Sequence, residues 1–216
     1  MSLIDSEKQF VDSVYSFLQG CDSPRVAYKR VNLATKRFEE VWKVWWTREL
    51  PPKLEVDFIL AFEDLQREID EALLVGIEVK YFKPNHKSRI RSNFYEGLQQ
   101  ALAYALFGFD GISLWHVFHN SLSNETVRSY SQATKRMIDE FRLPVFYLAT
   151  RLATEGDGIG LECFAPTFIT EPIELDYIVR WIRHYFTNKE NRNPMREDRE
   201  IGRRRSTIKT LLRIPV

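Results

Sequence analysis

The spacing of apolar residues changes period along the chain, and each change predicts an element. Over residues 5–19, Phe10, Val14, Phe17 and Leu18 recur at helical spacing and Gly20 follows as a stop, which predicts a first amphipathic helix. From Pro24 to about Trp46 the spacing is helical again, with Val31, Ala34, Phe38, Val41, Trp42 and Trp45 on one side. Ser23-Pro24 reads as its N-cap and first-turn proline, and Pro51-Pro52 ends it. The pattern then becomes apolar runs. Leu54–Phe62 and Leu73–Phe82 read as two strands joined by the acid-rich loop Glu63–Glu71, which predicts an antiparallel pair. The run LLVGIEV is apolar on both faces, as an interior strand requires. Asn93 and Glu96 have the form of a capping box for a helix reaching Leu106. Gly108 and Gly111 break that helix, and Ile112–Phe118 follows as a strand reached through a parallel crossover. Residues 124–141 and 176–186 are helical by spacing, and 144–150 and 161–164 are strands.

This order predicts an α/β domain over residues 1–188, with a central mixed sheet between helices, and a basic arm over 189–216. The arm has nine basic and four acidic residues, a net +5, and ends in the apolar LLRIPV. It could dock on DNA, on a second subunit or on its own domain.

The formal net charge of the whole chain is only +1, so contact with nucleic acid needs a local basic patch. The loop PNHKSRIRS supplies one. Lys83, Lys87, Arg89 and Arg91, with His86, form a candidate phosphate clamp just before a helix N-terminus. Cys21 and Cys163 are too few for a disulfide framework or a Cys-rich metal site, and a reducing, cytoplasmic setting is expected. No secretory leader is visible, and no apolar run approaches the ~20 residues that span a bilayer, so no membrane partner is expected.

The candidate chemistry lies on the two strands. Asp57 is an acid in an apolar run. Glu78 and Lys80 are two apart, so they share a face. Two carboxylates and an ammonium on apolar strands are expensive to bury without a task, and holding a divalent metal is such a task. Asp57 and Glu78, with the Val79 carbonyl, offer Mg2+ or Mn2+ three oxygen ligands. Lys80 is placed to orient a water or to stabilise charge on a phosphate; its acidic neighbours favour the charged form over a neutral base. His116 and His119 are three apart on a strand, so they face opposite sides and make no metal pair. EGDGIG lacks the lysine and spacing of a P-loop.

Asp57, followed by Glu78-Val79-Lys80 on a second apolar strand, resembles the PD-(D/E)xK nuclease superfamily. Gln100-Ala-Leu-Ala-Tyr104 resembles the Q-x-x-x-Y element of its RecB-like branch, which is grouped here with Holliday-junction resolvases. The resemblance covers roughly residues 36–118. It implies a restriction-endonuclease-like αβββαβ core with metal-dependent hydrolysis of DNA, in recombination, repair or defence, and often by a homodimer. It also implies that Gln100 and Tyr104 line the site, and that an acid on the first helix joins it, for which Glu39 is the candidate. The proline before the first acid is absent, because Val56 stands there. The cysteines of the iron–sulfur members are absent too, and no strand is evident ahead of Leu54. A DNA-binding or assembly protein of the same fold without catalysis is the rival expectation.

Overall fold

Among the described residues seven strands lie side by side in the order in which the chain makes them. The computed structural model describes residues 4–33, 35, 36, 38, 55–63, 72–84, 90, 92–153 and 159–214. Within them the elements run α1 (Glu7–Leu18), β1 (Val26–Asn32), β2 (Glu55–Glu63), β3 (Ala72–Phe82), α2 (Leu98–Phe107), β4 (Gly111–Phe118), α3 (Asn124–Glu140), β5 (Phe146–Leu152), β6 (Leu161–Ala165), β7 (Ile169–Ile173), α4 (Leu175–Thr187), a 3-10 turn (Lys189–Asn191) and α5 (Arg199–Leu212). β1, β2 and β3 pair antiparallel, β3–β4 and β4–β5 pair parallel, and β6 and β7 return antiparallel. The molecule is therefore α/β with a mixed sheet between helices, and its first six described elements follow the order α-β-β-β-α-β.

Both faces of the sheet are covered, which is why β2 and β3 read as unbroken apolar runs. Phe58, Leu60 and Phe62 of β2 and Val75, Ile77 and Val79 of β3 pack with α1 and α4. Ile59 and Ala61 of β2 and Leu74 and Phe82 of β3 belong to the opposite core, with α2, α3 and α5. Strand side chains alternate, so Asp57, Glu78 and Lys80 fall on this second face. The two parallel steps need crossovers, and α2 and α3 supply them on that same face, as a shared handedness demands.

Three expectations are corrected. Residues 26–32 are a strand, not the start of a helix, and they provide the strand missing ahead of β2. β1 is a sheet edge and mostly half-buried; its Lys29 and Arg30 pair with Asp12 of α1. A half-wet edge has little of the apolar alternation that marks a strand, and Val31 and Phe38 happen to suit a helical period. The helix after the basic loop starts at Leu98, not Asn93, because residues 94–97 form a turn ending in Gly97 at φ 78°. β7 at the other edge was not expected either. It carries Pro172, which an edge tolerates because no partner needs its N–H.

The basic C-terminal segment folds onto its own domain. Gly108 at φ 92° lets α5 approach so closely that a Cβ there would sit 2.7 Å from the Ile201 carbonyl oxygen. Arg204 donates to the Leu106 carbonyl at 2.7 Å, and Asn193 donates to the Ala105 and Phe109 carbonyls at 3.0 and 2.9 Å. Asp110, 2% exposed, accepts the Leu74 N–H at 2.9 Å and pairs with Arg205 at 3.0 Å and Arg196 at 3.4 Å. Removing one partner of a buried ion pair costs about 3–5 kcal/mol. Asp110→Ala is therefore expected to lower unfolding free energy by that order in urea titration. It should also expose the 189–214 segment to limited proteolysis before the sheet is cut.

Candidate functional site

The site begins where β2 and β3 stop pairing. Their ladder runs to Phe58 opposite Ile77. One residue on, the Asp57 side chain replaces the ladder acceptor: its Oδ2 takes the Val79 N–H at 2.8 Å. An extended residue projects its N–H and C=O to the same side, so the Val79 carbonyl also faces β2. Glu78, 1% exposed, is held on both oxygens. Oε1 lies 2.6 Å from the Lys80 ammonium, and Oε2 accepts the Tyr104 hydroxyl from α2. Across the sheet edge, Glu7 in the first turn of α1 brings a third carboxylate 3.9 Å from Lys80.

Burial acts first on every group here. It pushes the Asp57 carboxyl up to about 7, with the Glu78 charge adding to it and the Val79 N–H opposing it. Glu78 is also raised by burial, against the pull of Lys80 and Tyr104. At Lys80 burial favours the neutral amine, but Glu78, then Glu7 and Asp57, outweigh it and hold the amine above its ordinary value. Tyr104 is pushed well up by burial and by Glu78, so it remains a donor. Among the described residues three carboxyl groups thus act on one ammonium.

The lysine is packed as well as paired. A Cβ on Gly97 would lie 2.8 Å from Lys80 Cγ, so the left-handed turn before α2 cradles the aliphatic stem. That turn is held from below by His116, fully buried on β4 and paired in register with Lys80. Nε2 donates to the Glu96 carbonyl at 2.9 Å, which leaves Nδ1 to accept the Tyr147 hydroxyl at 3.0 Å. The ring is therefore neutral, and burial with the nearby Lys80 charge pushes its pKa down to about 4.

Of the residues expected from the sequence, Asp57, Glu78, Lys80 and Tyr104 meet in one cluster, with the Val79 backbone beside them. Gln100 does not join them: its side chain makes no hydrogen bond among the described residues and lines a neighbouring cleft. Lys83 is exposed, 3.5 Å from Asp5. Glu39, Lys87, Arg89 and Arg91 lie outside the described residues. The sequence reading missed Glu7 and Gly97 and left His116 without a partner. The pinning of the N-terminus explains Glu7, since the Tyr81 hydroxyl donates to the Ile4 carbonyl at 2.8 Å and draws α1 to the end of β3. No local signal marks that contact. Gly97 had one: a glycine placed just before a helical run.

Among the described residues no group of three or more His, Cys, Asp or Glu is arranged to hold a metal ion. The oxygens available at this end of β3, on Asp57, Glu78 and the Val79 backbone, are hard donors, and magnesium uses one or two carboxylates while keeping several waters. Their excess of negative charge fits a divalent cation, which would compete with Lys80 for Glu78 Oε1. Comparison of the chain with family profiles, with curated proteins and with solved structures finds no match.

Two buried groups set opposing pH dependences in the metal-free protein. Asp57, raised from 3.8 to about 7, contributes stability at low pH that is lost as pH rises through that window. His116, lowered from 6.5 to about 4, contributes stability above 6.5 that is lost as pH falls toward 4. At about 1.4 kcal/mol per pH unit the first is worth roughly 4 kcal/mol and the second roughly 3.5 kcal/mol. In chelator, Asp57→Asn is expected to unmask a rise in stability from pH 4.5 to 7.5, and His116→Phe a steeper fall, by urea unfolding. Parallel profiles for both variants and wild type would refute the assignment.

Proposed function

We propose that the chain is a Mg2+- or Mn2+-dependent deoxyribonuclease of the PD-(D/E)xK kind. The observation that carries this reading is the charge imbalance at the end of β3. There Asp57, Glu78 and Glu7 act on one ammonium among the described residues, Lys80, and the first two are buried. Asp110, at the other end of β3, is a useful contrast. It also accepts a β3 backbone N–H, but two arginines neutralise it, as a structural acid requires. Among the described residues the Asp57 cluster is short of positive charge by comparison, and a divalent cation would make up the difference.

Asp57, Glu78 and the Val79 carbonyl would hold the ion. When bound, it acidifies a water and neutralises charge on the phosphate. The remaining roles belong to the chain. Lys80, held cationic, donates to the attacking water or to a phosphoryl oxygen and is not the base. Tyr104 fixes one oxygen of Glu78 and keeps the carboxylate from rotating. Glu7 is the first-helix acid in this reading, in place of Glu39, and can accept a proton from the water. A homodimer would let two such sites address two strands.

The rival reading, a DNA-binding or assembly protein without catalysis, draws on one observation: both Glu78 oxygens are already engaged within the chain. A panel of junction, flap, duplex and single-stranded DNA with Mg2+, Mn2+ or chelator separates the two. Metal-dependent cleavage is expected, lowered about 10²–10³-fold by Lys80→Gln. Thermal unfolding gives a readout independent of activity. Mg2+ should raise Tm more at pH 8 than at pH 5.5, because Asp57 must lose a proton held with a pKa of about 7, and Asp57→Asn should abolish the shift. DNA retained without cleavage by wild type under either metal selects the rival.

A further inference from the structure

Beside the Lys80 cluster a cleft of about 470 Å3 opens at the start of α2. Leu98, Leu102 and Met137 give it an apolar wall, Gln99 and Gln100 contribute two amides, and Tyr95 stands at its margin. Tyr95 is 48% exposed and Phe94 37%, and their rings meet edge to face with centroids 5.2 Å apart. Two adjacent exposed aromatic rings are unusual on a surface with no covering element among the described residues, and neither side chain belongs to the core clusters. The turn that carries them is nonetheless rigid. Thr134 of α3 donates to the Phe94 carbonyl, His116 to the Glu96 carbonyl, and Gly97 is wedged on Lys80.

We infer that this cleft receives an unpaired nucleobase, stacked on Tyr95 with its edge toward the Gln99 and Gln100 amides, so that the substrate is DNA unpaired next to the scissile phosphate. The inference rests on the nuclease reading for the chemistry at Lys80, but not for the binding itself. Three features select a base over other occupants. An apolar wall with one exposed ring and two amides matches the flat faces and the mixed donor and acceptor edge of a base. The cleft is contiguous with the cluster, because Gly97 lines it and also touches the Lys80 stem, so a base seated there belongs to a strand whose backbone passes the carboxylates. Lys87, Arg89 and Arg91 precede Tyr95 in the chain by eight, six and four residues, an order of basic residues then aromatic rings that suits a single strand tracked by its phosphates and gripped by its bases. A paired base offers neither face nor edge to such a slot, which sets the preference for unpaired DNA. Gln100 thereby gains a role that its distance from hydrogen bonding in the carboxylate cluster otherwise denies it.

The test uses the full chain in chelator, where nothing is cut, with oligonucleotides carrying 2-aminopurine at successive positions, single-stranded or in duplex. Wild type should quench the fluorophore at one position of the single strand and bind that strand more tightly than the duplex. Tyr95→Ala, a surface change that spares the fold, should remove the quench and weaken single-strand binding about tenfold while leaving duplex binding unchanged. Gln100→Ala should alter which base is preferred with a smaller loss. Cleavage is then measured separately with Mg2+. Quenching lost in Tyr95→Ala, in a protein that cuts nothing, supports the cleft and removes the nuclease reading. Wild-type binding, quenching and cleavage by Tyr95→Ala on unpaired DNA overturns the cleft while the nuclease reading stands.

Discussion

The bond on which the rest of the site depends is the one from the Val79 N–H to the Asp57 carboxylate. It stands where the β2–β3 ladder would otherwise continue, and it closes the strand pair without a backbone carbonyl. A side-chain acceptor at that point leaves the next carbonyl facing an acid instead of a strand. It also fixes one Asp57 oxygen, and the other makes no hydrogen bond among the described residues. Glu78 is then forced into the same interior by the period of two, and its charge is tolerable only because Lys80 and Tyr104 reach it. Each of these groups is unfavourable alone. Together they form a network in which an ammonium is held charged, a phenol is held protonated and the pKa of an aspartate is raised to about 7.

The same strand carries a second buried aspartate contact at its opposite end, and the difference between the two is instructive. Asp110 meets Leu74 N–H with Arg196 and Arg205 around it, and the C-terminal segment supplies both arginines. The basic tail is thus spent in part on the fold: Arg196 and Arg205 neutralise an acid, and Arg204 donates to a helix-end carbonyl. Its high charge, read along the sequence, overstates what is left for a partner. Arg199, Arg203 and Arg213 remain exposed.

Much of this was legible in the sequence, and the parts that were not have a common cause. The interior strands announce themselves because both faces are apolar, and Asp57, Glu78, Lys80 and Tyr104 could be picked out because they interrupt such runs or share a helix face at a spacing of four. Periodicity reports burial, so it fails where burial is partial. β1 and β7, the two half-wet edges, were the strands missed, and the turn at residues 94–97 was absorbed into its helix. Contacts between distant segments leave no periodic trace at all. Glu7 lies 71 positions before Glu78, and His116 reaches the Glu96 carbonyl across the crossover. Neither could be paired from spacing.

Why the chemistry gathers at this end of β3 follows from topology. β3 and β4 are parallel, so their carboxyl ends lie together, and the chain must leave both there. Among the described residues, what gathers there is the Gly97 turn that leads into α2 and the α1 start pinned by Tyr81. In open α/β sheets that edge is where ligands are bound, because loops and helix starts converge on it without breaking the core. The opposite end of the parallel pair is closed by the Asp110 latch and α5. Among the described residues the buried carboxylates therefore lie at the open end of the parallel pair, beside Lys80 and the turn that carries the exposed rings of Phe94 and Tyr95.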